Sequence, residues 1–315
     1  MKPANPEIDH VRQRLSKFTA RWDSIADEVA IATIHYNPCG FRRLRQTFEE
    51  WKPTLGPLEK CLHVIELVFD DDEPEIEGST VIRGTRQANA LWQKEPLVNV
   101  ALSSLPESIN YFAWIDHDIV FRDPDWLPKA CKMIDDGAVA VQLMSRIEYL
   151  NRDHISIQKR PSYVSRSKSK KPFGNPGGAW MADRRYMDAI GGLNCDNIVG
   201  GGDQVFLDGL LGRYGHHISC YPDRLSDAVR DWIRMANFKT AGRPVRHLPG
   251  SAMHLWHGDR RRRQYGTRNE ILRNADFDPT TDSRINENEI LEWCSDKPRM
   301  HRQVRRYFQR RREDG

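Results

Sequence analysis

Asp116 and Asp118 stand one residue apart at the end of Tyr111-Phe112-Ala113-Trp114-Ile115, a run that reads as a short buried strand. Paired carboxylates at the carboxyl end of a central strand can hold a hard divalent cation. Such an ion takes oxygen ligands and leaves positions open for phosphate oxygens. The same spacing recurs at Asp70/Asp72, Asp123/Asp125 and Asp276/Asp278, where a solvated loop or a helix cap accounts for it. Context separates the central pair. Apolar residues precede it, Ile119-Val120-Phe121 follows it, and Asp123-Pro124-Asp125-Trp126 then looks like a helix start. Acidic groups set between apolar runs are costly to bury alone, which favours a cation.

Three further stretches carry candidate chemistry. Val199-Gly200-Gly201-Gly202-Asp203-Gln204 leads into a predicted helix over 205–211. Asp203 there is either a helix N-cap or a general base on a backbone that an acceptor can approach closely. Met253-His254-Leu255-Trp256-His257-Gly258 sets two histidines three apart after a strand-like run, which can bring imidazole nitrogen to a metal. It runs into Asp259 and Arg260 to Arg263, a cationic loop suited to phosphates. Gly174-Asn175-Pro176-Gly177-Gly178-Ala179-Trp180 is either an ordinary turn or a place where the backbone nears a ligand and Trp180 packs on an apolar ring face.

The elements that must position these groups follow from patterning. The first segment, to about Asp27, looks like a polar amphipathic helix. Strands are expected at 29–34, 61–69 and 138–143, and helices at 41–51 and 88–105. Residues 145–173 read as a polar, basic, mobile loop. Strands alternating with helices argue for an α/β fold with a mostly parallel central sheet. With 315 residues and 39% hydrophobic content the chain can build one large domain with appendages.

No stretch approaches a transmembrane length, and Met1 to Asp9 lacks the apolar core of a secretory signal. The six cysteines are scattered without paired metal spacing, which reads as free thiols in a reducing cytoplasm. The net charge of +4 hides segregation. Lys159–Lys171, Arg260–Arg273 and Arg299–Gly315 are strongly basic, so the remainder is net acidic. Such segments suit a polyanion such as nucleic acid or an anionic membrane surface, or are simply solvated.

Taken in order, these motifs resemble the GT-A glycosyltransferases, in particular the β-1,4-galactosyltransferase-like branch, from about Val29 to Arg268. Phe41-Arg42-Arg43 is similar to that branch's Phe-Arg nucleotide loop. Leu97-Val98-Asn99-Val100 resembles its Leu-Leu-Asn-Val helix, and Asp116-His117-Asp118 its Asp-x-Asp motif. Ile190-Gly191-Gly192-Leu193 with Gly201-Gly202-Asp203 resembles its Asn-Gly-Phe and Trp-Gly-Gly-Glu-Asp segments. His254-Leu255-Trp256-His257 resembles its Met/His-x-x-His metal segment.

The resemblance implies a GT-A (Rossmann-like) nucleotide-sugar-binding fold over 29–275, between a helical extension over 1–28 and a basic helical tail over 276–315. It implies Mn²⁺ (or Mg²⁺) held by Asp118, His254 and His257 together with Asp116, which also lies nearer the donor sugar and ribose. His257 is the stronger of the two imidazole ligands. It implies a UDP-sugar donor met by Thr33, His35, Tyr36, Arg42, Lys94, Asp116, Trp180 and Arg263, with Lys94 where the family carries an Arg. Asp203 becomes the catalytic base, and the expected outcome is inversion, with retention left open. The family's Trp and Glu before the catalytic Asp are glycines here, so donor sugar and acceptor do not carry over.

Basic segments beside a signal-less catalytic domain suit a phosphate-backboned acceptor, such as a modified DNA base acted on by a phage-encoded enzyme in the host cytoplasm. Glycan, lipid-linked and protein acceptors stay open. A sugar nucleotidyltransferase would open with a glycine-rich basic loop, which Tyr36-Asn37-Pro38-Cys39-Gly40 does not match. A non-catalytic nucleic-acid-binding protein would leave Asp116, Asp203 and His257 unexplained.

Overall fold

The computed structural model of the chain describes residues 6–15, 25–169 and 173–315. Of the expected first helix, Pro6–Leu15 is helical and 16–24 lie outside the described residues, as do Lys170 and Lys171 of the first basic segment.

The centre is a seven-stranded sheet. Its strands are β1 (Val29–Tyr36), β2 (Leu62–Phe69), β3 (Thr80–Gly84), β4 (Tyr111–Ile115), β6 (Ala140–Gln142), β9 (Ala179–Asp183) and β10 (Val245–His247). Their spatial order is β10-β6-β9-β4-β1-β2-β3. Only β9 runs against its neighbours, pairing antiparallel with β4 and β6. The other pairings are parallel, so the α/β architecture with a mostly parallel central sheet expected from the sequence is the one adopted.

Alternate residues of the central strands feed two cores, as the two-residue period of a strand requires. Val29, Ile31, Ala113 and Ile115 face one side, with Phe48 and Trp51 of the helix Arg42–Trp51 and Leu127 of the helix Trp126–Asp135. Ala30, Ala32, Phe112 and Trp114 face the other, with Leu97 and Ala101 of the helix Lys94–Ser103. Burial on both faces explains why these strands read as continuous apolar runs.

A second, four-stranded sheet has the order β5-β11-β7-β8, from β5 (Ile119–Phe121), β7 (Arg146–Leu150), β8 (Ser156–Pro161) and β11 (Ser251–His254). β11 runs antiparallel to β5 and parallel to β7. A small hairpin, β12 (Ser283–Ile285) with β13 (Leu291–Trp293), precedes the helix Pro298–Arg311. That helix buries Met300, Val304, Tyr307 and Phe308 in a third cluster with Val205, Leu225 and Val229.

Two expectations are corrected. The helix expected over 88–105 is two pieces, Arg86–Asn89 and Lys94–Ser103. Pro96 belongs in the first turn of the second piece, where a missing N–H costs nothing; inside a longer helix its ring would strike the carbonyl of Trp92. Trp92 N instead donates to Ile198 O at 3.0 Å, tying the break to a distant loop. Within the segment 145–173, expected as a loop, β7 and β8 form an antiparallel pair and Tyr163–Arg166 is helical. β8 is an exposed edge strand, so its polar composition hid it. Among the described residues no helix is long and apolar enough to cross a membrane, and all six cysteines are free thiols.

Candidate active site

Strand register brings the acid and imidazole groups together. β4 ends at Ile115, and Asp116 to Asp118 form a tight turn into β5, with Ile119 N donating to Asp116 O at 3.0 Å. β11 pairs with β5 so that His254 lies opposite Ile119, and Leu255 N donates to Asp118 O at 2.7 Å. His254, on the neighbouring strand in space but more than a hundred residues away in sequence, thereby reaches Asp118. Its Nε2 is 3.3 Å from Asp118 Oδ2, and that of His257 is 2.6 Å from the same oxygen.

The three residues are buried, and their ligand atoms lie within 4.8 Å of one another. Each imidazole has its tautomer set from behind. His254 Nδ1–H donates to Leu255 O at 2.7 Å, and His257 Nδ1–H donates to Glu313 Oε2 at 2.8 Å. His254 Nε2 then faces Asp118 Oδ2 as an acceptor, while His257 Nε2, 2.6 Å from the same oxygen, stands where either a shared proton or a cation would bridge the two. Asp118 Oδ1 is buried without a hydrogen-bond partner. One carboxylate with an unpartnered oxygen and two imidazole nitrogens converging on it fit a divalent cation. The two nitrogens favour Mn²⁺ over the harder Mg²⁺.

The electrostatics divide the two imidazoles: burial and Arg263 press His257 down, yet Glu313 and Asp118 hold it above its ordinary value, so a cation there takes the place of a proton. Burial alone would raise the Asp118 carboxyl, but His254, the hydrogen bond with His257, and Arg263 hold it well below the usual range. Burial, aided by Arg263 and His257, lowers His254 to about 4, keeping the imidazole neutral and able to ligate. Arg263 Nη2 packs 2.7 Å from His257 Nε2.

Beside this cluster lies a second one. Lys94 Nζ stands 2.7 Å from Asp116 Oδ1 and 3.0 Å from Asp203 Oδ2, linking the two carboxylates. Burial opposes the charge on Lys94, yet Asp116 and Asp203 hold its pKa well above the ordinary value. Burial lifts Asp116 to about 6 against the pull of Lys94. Asp116 is thus engaged with Lys94 and stands beside the group of three rather than within it. Asp203 sits in the first turn of the helix Gly202–Leu211 and makes no side-chain cap there. Its carboxylate faces Lys94 and a cavity of about 470 Å³, whose walls also carry Asp116, Asp118, His254, His257 and Arg263.

Other expected donor-site residues divide. Tyr36 lines the cavity, its ring edge-on to Trp92 at 6.0 Å. Thr33 does not line it: its hydroxyl donates to Ile115 O at 2.8 Å, joining β1 to β4 inside the sheet. His35 is buried beneath the site, paired with Glu75 at 2.9 Å. Arg42 is exposed at the helix start and also outside the cavity wall, while its neighbour Arg43 is buried against Glu50 and Trp256 O. Trp180 is a clear correction. It is fully buried on β9, edge-on to Phe206 at 5.3 Å, and so has no face for a sugar.

Residues the sequence did not flag complete the site. Trp92 lies against Gly200, where a Cβ would come within 2.8 Å of its ring, and Glu95 fills the space beside Gly202. Both side chains come from the break before the helix Lys94–Ser103 and its first turn. Arg311, Phe308 and Glu313 also line the cavity, although the basic tail was expected outside the motif-bearing core. A lone Glu among arginines near 313 was the only sequence signal for this.

No protein-family model matches the chain, and no curated protein matches it. Solved structures do. The catalytic domain of Drosophila β1,4-galactosyltransferase 7, in complex with xylobiose, aligns with 14% identity over 70% of this chain and 63% of that one, TM-score 0.34. The 4-diphosphocytidyl-2C-methyl-D-erythritol synthase of Anaerococcus prevotii aligns with 10% identity over 71% of this chain and 90% of that one, TM-score 0.35. Glucosyl-3-phosphoglycerate synthase of Mycobacterium tuberculosis, in complex with Mn²⁺, UDP-glucose and phosphoglyceric acid, aligns with 14% identity over 84% of this chain and 83% of that one, TM-score 0.41. The chain spans less than two thirds of the Drosophila domain's length.

Proposed function

We propose that the chain is a GT-A glycosyltransferase that moves a sugar from a nucleoside diphosphate, UDP, to an acceptor hydroxyl in a reaction dependent on a divalent cation. The observation that carries this reading is the pair of adjoining clusters on one cavity: a cation-fitting Asp118, His254 and His257 set beside Asp116, Lys94 and Asp203. When bound, the cation neutralises charge on the departing diphosphate. Arg263 and Arg311, largely buried at the cavity wall, add fixed positive charge for the same phosphates. Lys94 orients Asp116 toward the donor sugar and Asp203 toward the acceptor. Asp203 takes the proton of the acceptor hydroxyl as its oxygen bonds to the anomeric carbon. The bond from that carbon to the diphosphate breaks, with the electron pair leaving on the diphosphate oxygen. Attack opposite the leaving group inverts the anomeric centre.

The test is turnover of a panel of nucleotide sugars with Mn²⁺, read by mass spectrometry, with oligosaccharide, protein and modified-DNA acceptors. Release of UDP with transfer to one acceptor class supports the reading. Absence of transfer and of donor hydrolysis across the panel removes it, and release of pyrophosphate from a nucleoside triphosphate would favour a nucleotidyltransferase.

A further inference from the structure

Glu313 is two residues beyond a helix dominated by arginine, yet its side chain is only 3% exposed and ends in the heart of the cation-fitting cluster. Oε2 accepts from His257 Nδ1 at 2.8 Å, and Oε1 accepts from Arg311 Nε at 2.6 Å. We infer that Glu313 is a positioning residue for the cation site, fixing His257 in the tautomer that presents its Nε2 lone pair to the metal. The inference rests on the metal-site reading above.

The surrounding chain is built to deliver this carboxylate. Arg312 adopts a left-handed conformation, φ 42°, which ends the helix Pro298–Arg311 and turns Glu313 back inward. The two strands of chain then pass in close contact. A Cβ on Gly258 would stand 2.8 Å from Arg312 O and 3.0 Å from Glu313 Cα, and Gly258 itself has φ 84°. Asp314 pins the far side, its Oδ1 accepting from Arg43 N at 2.7 Å and its carbonyl from Arg152 Nη2 at 2.7 Å. A segment tied only for stability could use any buried pair. Here the carboxylate addresses Nδ1 of a residue whose other nitrogen faces Asp118, which is the arrangement by which second-shell carboxylates orient metal-ligating imidazoles and raise their basicity.

The test is calorimetric titration of Mn²⁺ alone into wild type, Glu313→Ala, Glu313→Asp, Glu313→Gln and His257→Ala, without donor, with ¹⁵N NMR of the His257 ring. Glu313→Ala should weaken Mn²⁺ binding about 10–100-fold, with Glu313→Asp recovering part of the loss and the His257 Nδ1 signal losing its hydrogen-bonded shift. Should the alanine variant fail to fold, the isosteric Glu313→Gln carries the test. It keeps an acceptor for Nδ1–H but no charge, and an intermediate loss is expected. Wild-type Mn²⁺ affinity in whichever of these variants folds, while His257→Ala loses it, overturns the role of Glu313 alone. Equal affinity in wild type and His257→Ala, or no binding in either, removes the metal site itself.

Discussion

Gly177 and Asp203 are complementary in space: a Cβ on Gly177 would stand 2.1 Å from Asp203 Oδ2 and 2.4 Å from its Cγ. The bare glycine therefore defines where the candidate base can sit. Gly177 is not in the left-handed region, so alanine meets no backbone penalty there and acts chiefly by displacing the carboxylate. Gly177→Ala should lower turnover at least about a hundredfold, as should Asp203→Asn, which keeps shape but cannot take a proton. UDP binding, followed by calorimetry, should stay near wild type in both. Near-normal turnover in Asp203→Asn would reduce that residue to a helix-start carboxylate.

The cation site gives a second expectation. Asp118→Ala or His257→Ala should abolish Mn²⁺-dependent turnover while circular dichroism shows a folded protein, and EDTA should do the same to wild type. Because two of the three ligands are imidazole nitrogens, Mn²⁺ should support faster turnover than Mg²⁺ at equal concentration. Full activity in EDTA would remove the site.

Much of this was legible before the structure because it rests on local pattern. The apolar runs of β1, β2 and β4, the carboxylates after β4 and the histidines at the end of β11 are set by residues close in sequence. What was hidden depends on register and distant packing. Trp92 and Glu95 fill the spaces at Gly200 and Gly202 only because the chain breaks before Lys94 and meets Ile198. Trp180 looked like a stacking platform, yet antiparallel pairing of β9 with β4 and β6 places it in the sheet's interior. β8 read as loop because an edge strand need not alternate. Charge misled in the tail, where Arg311 turns inward to Glu313 while its neighbours face solvent.

Glu95 supplies a pH signature. Burial raises its carboxyl to about 7 against the pull of Lys94. The native state thus holds a proton that the unfolded chain releases near the ordinary value of 4.5. Stability is unaffected below that value, falls as pH rises from about 4.5 to about 7, and stays lowered above. Glu95→Gln, nearly isosteric and never charged, removes the effect. Urea unfolding at pH 5 and pH 8 should show the variant gaining on wild type by about 1–3 kcal/mol at the higher pH. An equal difference at both values would show that Glu95 is ionised alike in both states.

The basic tail tests the acceptor. Arg306, Arg310 and Arg312 are exposed and Arg305 partly so, whereas Arg311 belongs to the cavity and must be left intact. If the exposed arginines serve a nucleic-acid acceptor, duplex DNA binding should weaken steeply with salt, since each phosphate neutralised releases counterions. Replacing Arg305, Arg306, Arg310 and Arg312 together with Gln should flatten that dependence, lowering the slope of log K against log salt by about 3–4 if all four meet phosphates. Donor hydrolysis should be unchanged, because none of the four lines the cavity. Binding to anionic vesicles with no DNA affinity would point to a membrane surface. Wild type with no DNA affinity at low salt would end the nucleic-acid reading and leave glycan or protein hydroxyls as the acceptors to pursue.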